Sequence, residues 1–298
     1  MRRRQFLQLS AAPLFLPLLP VRLVEAPVVW EIEGTHDSTI RMLFSKLGGL
    51  KQLIKTDLSR ATVLIKPNLC LPHTAEMGTI SNPNLLNTLC RFLSSEGISK
   101  IIIADHTLRD ENKFKNHFIS ELADKYKNVK LIIANEQRLY KPANVPGKNL
   151  HTTEMLKIAH RADLMINLAT AKHHSATTVS LAIKNLMGLI WNRSEFHTDL
   201  DLSQAIADLA LLIRPGLNII DTSTVLLDGG PTGPGPVLQD NRIFAGFDIL
   251  ALDSVVISRY NFGGKSRTAK EIPHLWAASQ NSVGEIDRQK IELNALKI

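Results

Sequence analysis

The 298-residue sequence contains only two cysteines, Cys70 and Cys90, and no C-x-x-C spacing. Zinc ribbons and iron–sulfur clusters need several closely spaced thiolate ligands. We therefore expect neither a zinc ribbon nor an iron–sulfur cluster held by this chain. Two outcomes stay open for the thiols: a disulfide in an oxidising compartment, or two buried free cysteines.

Aromatic residues are also scarce, at 5% of the chain, which leaves few rings for stacking on nucleic-acid bases. The net charge is +7, but residues 1–26 contain four arginines and one glutamate, so removal of that segment lowers the charge to +4. Much of the basicity thus belongs to the N-terminus. We expect no nucleic-acid partner.

The N-terminal apolar run, residues 9–19, is short and is broken by two prolines, so it does not predict a membrane-spanning helix. It follows a basic head in which Arg3 and Arg4 are adjacent. This order is typical of a twin-arginine signal peptide, which we assign to residues 1–26. An N-terminal amphipathic helix is the alternative.

The signal predicts a periplasmic or other extracytoplasmic location, reached through the twin-arginine translocase. Residues 24–26 form a small-residue cleavage site, but Pro27 follows directly and is expected to hinder cleavage. An uncleaved signal that tethers the protein to the membrane is therefore an alternative to a free exported protein.

Short apolar segments alternate with longer helical patterns along most of the chain. Strand patterns occur at 28–32, 62–65, 101–104, 129–134, 164–168, 217–220 and 243–247. Helical patterns occur at 37–54, 83–96, 112–126, 152–161, 202–213 and from 249 onward. Strands separated by helices predict parallel βαβ units. The expected fold is α/β: one domain over residues 27–298, with a doubly wound, mostly parallel sheet and helices on both faces.

Polar side chains follow the predicted ends of four strands. They are Lys66 and Asn68, Asp105 and His106, Lys172 with His173 and His174, and Asp221. Open α/β sheets bind ligands in the crevice outside the carboxyl ends of their strands, so we expect these side chains to converge there. For Asp105 and Asp221, a cap on the following turn is an equally good explanation. For Lys172, the alternative is a solvated surface lysine.

Lys184 and Asn185 lie in segment 181–188, which is otherwise apolar. A helix there would partly bury Lys184, which would then need an anionic partner. Such a lysine binds phosphate or carboxylate, or acts as a base or nucleophile when its pKa is lowered. The alternative is a structural network in which both residues tie the helix to the sheet.

Two histidines, His174 and His197, are candidate metal ligands. Two imidazoles with a distant carboxylate make a weak metal signature. A hydrogen-bonded structural histidine is the alternative.

The loop 229–236 contains four glycines and three prolines but no Gly-Lys-Ser/Thr and no G-x-G-x-x-G pattern. It does not predict a nucleotide-binding loop. We expect a rigid wall that closely approaches either a ligand or another strand.

The order of these motifs resembles the domain of unknown function 362 family over roughly residues 60–260. Its most specific part is the block 184–188, Lys-Asn-Leu-Met-Gly. Many relatives carry an added four-cysteine ferredoxin module, which this chain lacks. The resemblance also implies a fold like the amino-terminal half of lactate racemase, which holds a nickel pincer cofactor on a lysine.

Through that distant similarity, the resemblance implies roles for four residues. His106 and His174 would transfer protons, Lys184 would attach a nickel-type cofactor, and His197 would bind the metal. Twin-arginine export carries folded proteins, which would allow a metal or cofactor to be loaded before export.

We therefore expect an exported enzyme that binds a small anionic substrate, with a metal or cofactor, in a crevice lined by lysine and histidine. The candidate catalytic residues are His106, His174 and Lys184; the candidate substrate-binding residues are Lys66, Asn68, Asp105, Lys172 and Asn185; the candidate metal ligands are His174 and His197. A racemase- or isomerase-like reaction is implied by the resemblance alone. The alternative is a non-catalytic periplasmic protein that binds an anion or a metal in the same crevice.

Overall fold

A computed structural model describes residues 25–108 and 118–298 of the chain. Nearly all of the predicted signal peptide and the first part of the predicted helix 112–126 lie outside these ranges. Within the two ranges, no helix is long and apolar enough to cross a membrane.

The described residues contain twelve β-strands. They are β1 (Val28–Glu33), β2 (Thr62–Lys66), β3 (Lys100–Asp105), β4 (Val129–Ile133), β5 (Tyr140–Asn144), β6 (Thr152–Leu156), β7 (Leu164–His174), β8 (Thr178–Ser180), β9 (Leu217–Leu226), β10 (Val237–Leu238), β11 (Arg242–Gly246) and β12 (Glu292–Lys297). Ten form one large sheet, and β5 pairs with β6 in a separate antiparallel sheet.

The order across the large sheet is β12, β1, β11, β9, β7, β2, β3, β4, with the short β8 and β10 paired to β7 and β9. The five strands from β9 to β4 run parallel to one another, and β1 runs parallel to β12. Only β11 among the strands of this row is antiparallel to its neighbours. From β2 the chain proceeds through β3 to β4 at one edge, and then returns to place β7 on the opposite side of β2. This reversal is a topological switch point, where α/β sheets characteristically bind ligands.

The same ranges contain nine α-helices. They are α1 (His36–Lys46), α2 (Leu50–Leu53), α3 (Pro83–Ser95), α4 (Phe118–Lys125), α5 (Ala182–Asn185), α6 (Glu195–Thr198), α7 (Leu202–Leu212), α8 (Ile249–Arg259) and α9 (Pro273–Gln280). Helices α1, α3 and α4 pack over one face of the sheet, and α5, α7, α8 and α9 over the other.

Strand β2 illustrates why the central strands read as continuous apolar runs. Val63 and Ile65 contribute to the core on the α1 side, whereas Leu64 contributes to the core on the α5 side. Both faces of a parallel sheet covered by helices must be apolar. The expected mostly parallel sheet with helices on both faces is confirmed.

Several boundaries follow directly from local sequence. Asn82 caps α3 through a side-chain hydrogen bond to the backbone of the first turn, and Pro83 occupies that turn. The predicted helix 37–54 is divided at Gly48 and Gly49, whose φ angles are +76° and +86°. Glycine adopts this left-handed conformation without the steric cost that a Cβ would add.

The prediction of a helix over 152–161 is wrong. Residues Thr152–Leu156 form β6, and only Lys157–His160 form a 3-10 turn. Strand β6 pairs with Tyr140–Asn144, whose polar, proline-containing sequence shows no strand periodicity. The pairing satisfies the backbone hydrogen bonds of this segment in a way that local propensity did not reveal.

The predicted ends of two central strands are also wrong. Strand β7 continues to His174 and β9 continues to Leu226, because β8 and β10 add further pairing there. Lys172 and Asp221 therefore lie within strands rather than after them. The chain also closes with β12, which pairs with β1, and not with a helix as expected.

Candidate functional site

A cavity of about 530 Å³ opens at the carboxyl ends of β2, β3 and β7, beside the switch point. All nine residues predicted for the site line it: Lys66, Asn68, Asp105, His106, Lys172, His174, Lys184, Asn185 and His197. Its volume is in the range typical of small-molecule pockets. The structure thus brings these residues together, while the roles assigned to them remain predictions.

Lys66 and Asp105 form a buried ion pair in the pocket wall. Lys66 Nζ lies 3.0 Å from Asp105 Oδ1, and the two side chains are 1% and 2% exposed. The other carboxylate oxygen accepts the Leu69 backbone N–H at 2.6 Å. Burial lowers the pKa of Lys66, while the Asp105 carboxylate opposes that effect. Asp105 therefore joins the ends of β2 and β3 and does not cap its own following turn.

Asn185 extends this ion pair into a buried amide network. Its Oδ1 accepts from Lys66 Nζ at 3.1 Å, and its Nδ2 donates to Asn167 Oδ1 at 2.8 Å. Asn167 Nδ2 donates in turn to Asn218 Oδ1 at 3.1 Å. The structural alternative considered for segment 181–188 is therefore present for Asn185. Sequence reasoning missed Asn167 and Asn218, whose only signal is an amide inside an apolar strand.

Lys172 is a buried cation that forms no salt bridge within the described ranges. It is 2% exposed, so it is not a solvated surface lysine. Its Nζ donates to the Thr79 carbonyl at 2.7 Å and to Asn68 Oδ1 at 3.4 Å. Burial lowers its pKa. Dipoles replace part of its hydration, but no described carboxylate within 4 Å balances its charge.

Lys184, on α5, has even fewer partners. The hydrogen bond described for its Nζ goes to Met187 Sδ at 2.9 Å, and a thioether is a weak acceptor. Burial lowers the pKa of Lys184 to about 8; Cys70 opposes this shift, and the cations of Lys172 and Arg193 add to it. Lys184 thus does not take part in the described polar network that ties Asn185 to the sheet.

Asp253 holds α5 in place. It is fully buried, and its carboxylate accepts the backbone N–H groups of Ala182 at 2.8 Å and Ile183 at 3.0 Å. Burial raises the pKa of Asp253 to about 7, while these two hydrogen bonds act in the opposite direction. A single helical turn is not stable alone, so this anchor positions Lys184.

His106 is held by the backbone of Ile190. Its Nδ1 lies 3.0 Å from the Ile190 carbonyl oxygen. A carbonyl only accepts, so we assign the proton to Nδ1, which leaves the lone pair of the neutral ring on Nε2. The ring stacks on Trp191 with centroids 5.2 Å apart. Burial, together with the Arg193 cation, lowers the pKa of His106.

His174 has the opposite tautomer. Its Nδ1 accepts the Ala176 backbone N–H at 3.2 Å, so the proton of the neutral ring is on Nε2. Burial, with Lys184 and Lys172 nearby, lowers the pKa of His174 to about 3. Neither Nε2 atom has a hydrogen bond described within residues 25–108 and 118–298. In the pocket wall, Nε2 is therefore an acceptor on His106 and a donor on His174.

Arg193 also lines the pocket, although it was not among the predicted site residues. Its two terminal nitrogens donate to the carbonyls of His106 at 2.8 Å and Thr107 at 2.9 Å. Its Nε is buried and has no hydrogen-bond partner within the described ranges. In the sequence, only the closeness of Arg193 to His197 suggested a role in the site, and an arginine in a connecting segment is ordinarily solvated.

His197 is exposed at the pocket rim. In the described part of the chain, no group of three or more histidine, cysteine or carboxylate side chains is arranged to hold a metal ion. A metal centre with protein ligands alone therefore does not fit these residues, and we derive no step through a metal or a nickel-type cofactor. The metal role of His174 and His197 stays a prediction.

Neither cysteine is in a disulfide. Cys70 is half-buried and lines the pocket, whereas Cys90 is buried in α3. Burial raises the pKa of Cys90 to about 12, which makes it an inert core thiol.

Asp221 does not converge on the pocket, contrary to the expectation from its strand. It lies inside β9, where its carboxylate accepts the backbone N–H groups of Ser223 at 2.9 Å and Asn82 at 3.2 Å. Its role in the described structure is to join β9 to the start of α3.

The loop 229–236 contacts both a strand and the pocket. The Gly230 backbone N–H donates to His173 Nδ1 at 3.1 Å, and Pro231 lines the pocket. A Cβ on Gly230 would overlap the His173 carbonyl, which explains the need for glycine there. His173 itself therefore supports this loop rather than lining the cavity.

The family model called Domain of unknown function (DUF362) matches residues 63–258. The chain belongs to this family. A Thylakoid-associated protein of Synechocystis sp. (strain ATCC 27184 / PCC 6803 / Kazusa) is 23% identical over 234 residues, which cover 75% of this chain and 69% of that protein. The lactate racemase apoprotein of Thermoanaerobacterium thermosaccharolyticum is similar in structure, with 15% identity and a TM-score of 0.45. That match covers 87% of this DUF362 chain and 58% of the racemase chain, less than two thirds of its length.

Substitution Gly188→Ala tests how tightly the Lys66–Asp105 pair is enclosed. A Cβ at this position would overlap Asp105 Oδ1 and lie 2.5 Å from Lys66 Cε. Because both partners of a buried pair would have to move, we expect a loss of about 3 kcal/mol in the free energy of unfolding, measured with urea. The matched control is Arg138→Met, which breaks an exposed ion pair and should cost less than about 1 kcal/mol.

The sign of the Gly188→Ala effect is informative. An alanine that fits without displacement would stabilise the protein by about 0.4–1 kcal/mol through the unfolded state. A variant as stable as the wild type, or more stable, would contradict the close packing described here.

His274 gives a test of acid stability. It is fully buried, its ring nitrogens have no hydrogen-bond partner within the described ranges, and burial lowers its pKa to about 3. Between the unfolded pKa of about 6.5 and about 3, the unfolded state binds more protons, so stability falls as the pH falls. From neutral pH to about pH 5, we expect this group to remove about 2 kcal/mol of unfolding free energy.

Substitution His274→Phe should abolish that part of the pH dependence, measured by urea unfolding at both pH values. The control His151→Asn removes an exposed histidine and should keep the wild-type slope. An unchanged slope in His274→Phe would show that the buried ring is not responsible.

Proposed function

We propose that this DUF362 protein binds a small organic anion in the pocket and catalyses proton transfer on it with His106 and His174. The supporting observation is an imbalance of charge. One described carboxylate lines the pocket, that of Asp105, and Lys66 already neutralises it. The lining cations are Lys66, Lys172, Lys184 and Arg193.

Three cations thus remain without a described carboxylate partner. Removing an ammonium or guanidinium group from water is costly unless opposite charge or dipoles compensate. Lys172 has two oxygen acceptors, and Lys184 has one sulfur acceptor. A bound carboxylate or phosphate would provide the missing negative charge, and the cavity of about 530 Å³ has room for a small molecule that carries it.

The two imidazoles favour an enzyme over a passive binding protein. An anion-binding protein needs the cations but does not need a pair of neutral histidines with opposite tautomers. Proton transfer needs a base, a role suited to His106 Nε2, and a hydrogen-bond donor that stabilises the charge developing on the substrate oxygen, a role suited to His174 Nε2–H. The substrate class we propose is therefore a small carboxylate or phosphate ester with a proton to be moved.

Substitution Lys172→Met tests the anion-binding part of the proposal. Wild-type protein should be stabilised in thermal unfolding by at least one member of a panel that includes glycolate, lactate, malonate and inorganic phosphate. Because a hydrogen bond to a charged group contributes about 1.5–3 kcal/mol, the variant should bind the same anion about 10–100-fold more weakly.

The control Lys148→Met removes an exposed lysine that does not line the pocket and should bind as the wild type does. Circular dichroism checks that Lys172→Met is folded. If it is not, Lys184→Met makes the same test at a side chain with one described hydrogen bond. No stabilisation of the wild type by any of the anions, or equal affinity in the lysine variants, would count against the proposal.

We also propose that the protein acts outside the cytoplasm after twin-arginine export. The support is the adjacent pair Arg3 and Arg4 before an apolar run, in residues outside the described ranges. The Synechocystis relative is named for association with thylakoids. Pro27 is expected to hinder cleavage of the signal. We therefore propose that the uncleaved signal holds this chain at a membrane in a comparable way.

The double substitution Arg3→Lys with Arg4→Lys should retain the protein in the cytoplasm, as measured by cell fractionation. The control Arg2→Lys alters a neighbouring arginine outside the pair and should leave export intact. Equal export of the wild type and the double variant would rule out this route.

A further inference from the structure

The three pocket lysines differ in what holds their amino groups. Lys66 donates to Asn185 and pairs with Asp105. Lys172 donates to the Thr79 carbonyl and to Asn68. The Nζ of Lys184 has only a thioether sulfur as a described hydrogen-bond acceptor. Lys184 is therefore the lysine whose nitrogen is most available to a molecule in the cavity.

The surroundings of Lys184 lower its pKa and so increase the fraction of free amine over that of a solvated lysine. Burial is the main cause, and the cations of Lys172 and Arg193 act in the same direction, whereas Cys70 acts against them. The neighbouring histidines His174, His197 and His274 have lowered pKa values and are neutral near pH 7, so they add no charge. At neutral pH the free-amine fraction is on the order of a hundredfold larger than for a solvated lysine. Lysines placed in this way act as nucleophiles toward carbonyl compounds.

The backbone also holds this lysine in a defined position. Asp253 binds the first two N–H groups of the α5 turn, and Asn185, the next residue, is fixed by Lys66 and Asn167. The chain on both sides of Lys184 is therefore immobilised by buried polar contacts. A nucleophile positioned in advance needs less reorganisation to reach its electrophile.

We propose that Lys184 forms an imine with a small oxo acid, an aldehyde or ketone that also carries a carboxylate. The carboxylate would lie against the cations of Lys172 and Arg193, and the carbonyl carbon against Lys184 Nζ. This inference rests on the proposed anion site and names its substrate class more closely.

The step balances as a condensation without oxidation or reduction. The lone pair of Lys184 Nζ attacks the carbonyl carbon, and a carbon–nitrogen bond forms. The carbon–oxygen bond then breaks and the oxygen leaves as water. Its two protons come overall from the Lys184 ammonium group, one released when the free amine forms and one lost after the attack, and the product is a protonated imine. His174 Nε2–H is a hydrogen-bond donor suited to the carbonyl oxygen, which it would polarise while the ring stays neutral. His106 Nε2 is the acceptor suited to a proton on the carbon next to the imine, which the positive nitrogen acidifies.

The experiment is reductive trapping of the full-length protein with pyruvate or glyoxylate and cyanoborohydride, followed by intact-mass measurement and peptide mapping. Cyanoborohydride supplies the hydride that converts the imine to a stable secondary amine. We expect one adduct per chain at Lys184, formed at least about tenfold faster than at the exposed Lys148. Lactate, which has the carboxylate but no carbonyl, should give no adduct.

The control variant is Lys184→Arg, which keeps the positive charge but cannot form an imine. It should lose the adduct while remaining folded by circular dichroism. Thermal unfolding of the same samples separates the two proposals. Stabilisation by carboxylates without any adduct overturns the imine and leaves the anion site intact. An adduct without stabilisation by lactate, malonate, glycolate or phosphate supports the imine and counts against the general anion site.

Adducts spread equally over surface lysines, or unchanged in Lys184→Arg, also overturn the imine. A second readout is deuterium incorporation from heavy water at the methyl carbon of pyruvate, followed by NMR. Exchange should be lost in Lys184→Arg, and it should be reduced in His106→Gln if that imidazole takes the proton. A His106→Gln variant that still forms the adduct but exchanges slowly distinguishes proton transfer from imine formation.

Discussion

Transfer of a lysine ammonium group from water to a protein interior costs several kcal/mol unless charge or dipoles replace its hydration. The structure of this protein at the switch point is organised around that constraint. Lys66 meets it through Asp105 and Asn185, and in doing so connects β2, β3 and α5. Gly188 is needed because a side chain there would occupy the space of the ion pair.

The remaining cations meet the same constraint only in part. Lys172 is surrounded by oxygen dipoles, and Lys184 faces the cavity with a single weak acceptor. The compensation that is absent among the described side chains is negative charge, and the cavity is where it would be supplied. Stability and ligand binding are therefore linked here, since a bound anion would offset the desolvation free energy of the buried cations and so stabilise the folded state.

The site residues were predictable because each stands out from an apolar background. Lys66, Asp105 and Lys172 follow the predicted ends of buried strands, and Lys184 interrupts an apolar segment. Asn167, Asn218 and Asp253 escaped the same reasoning. An amide inside a strand or a carboxylate inside a helix has no distinctive local signal, and its function depends on a partner far along the chain.

The fold shows the same division. The parallel core strands and α3 were predictable because their apolar periodicity and capping residues are local features. The predicted helix at 152–161 was wrong because pairing with β5 outweighs local propensity. The early ends assigned to β7 and β9 were wrong because β8 and β10 extend their hydrogen bonding.

From sequence alone came the α/β class, the family resemblance and the set of polar residues at strand ends, since these follow from local patterns and the general behaviour of parallel sheets. Tertiary structure alone decided how the charges are distributed within that set. It paired Lys66 with Asp105, left Lys172 and Lys184 without a described carboxylate, added Arg193, and assigned opposite tautomers to His106 and His174. The burial of a side chain and the identity of its partners depend on residues that are distant in sequence. They therefore cannot be predicted from a single segment.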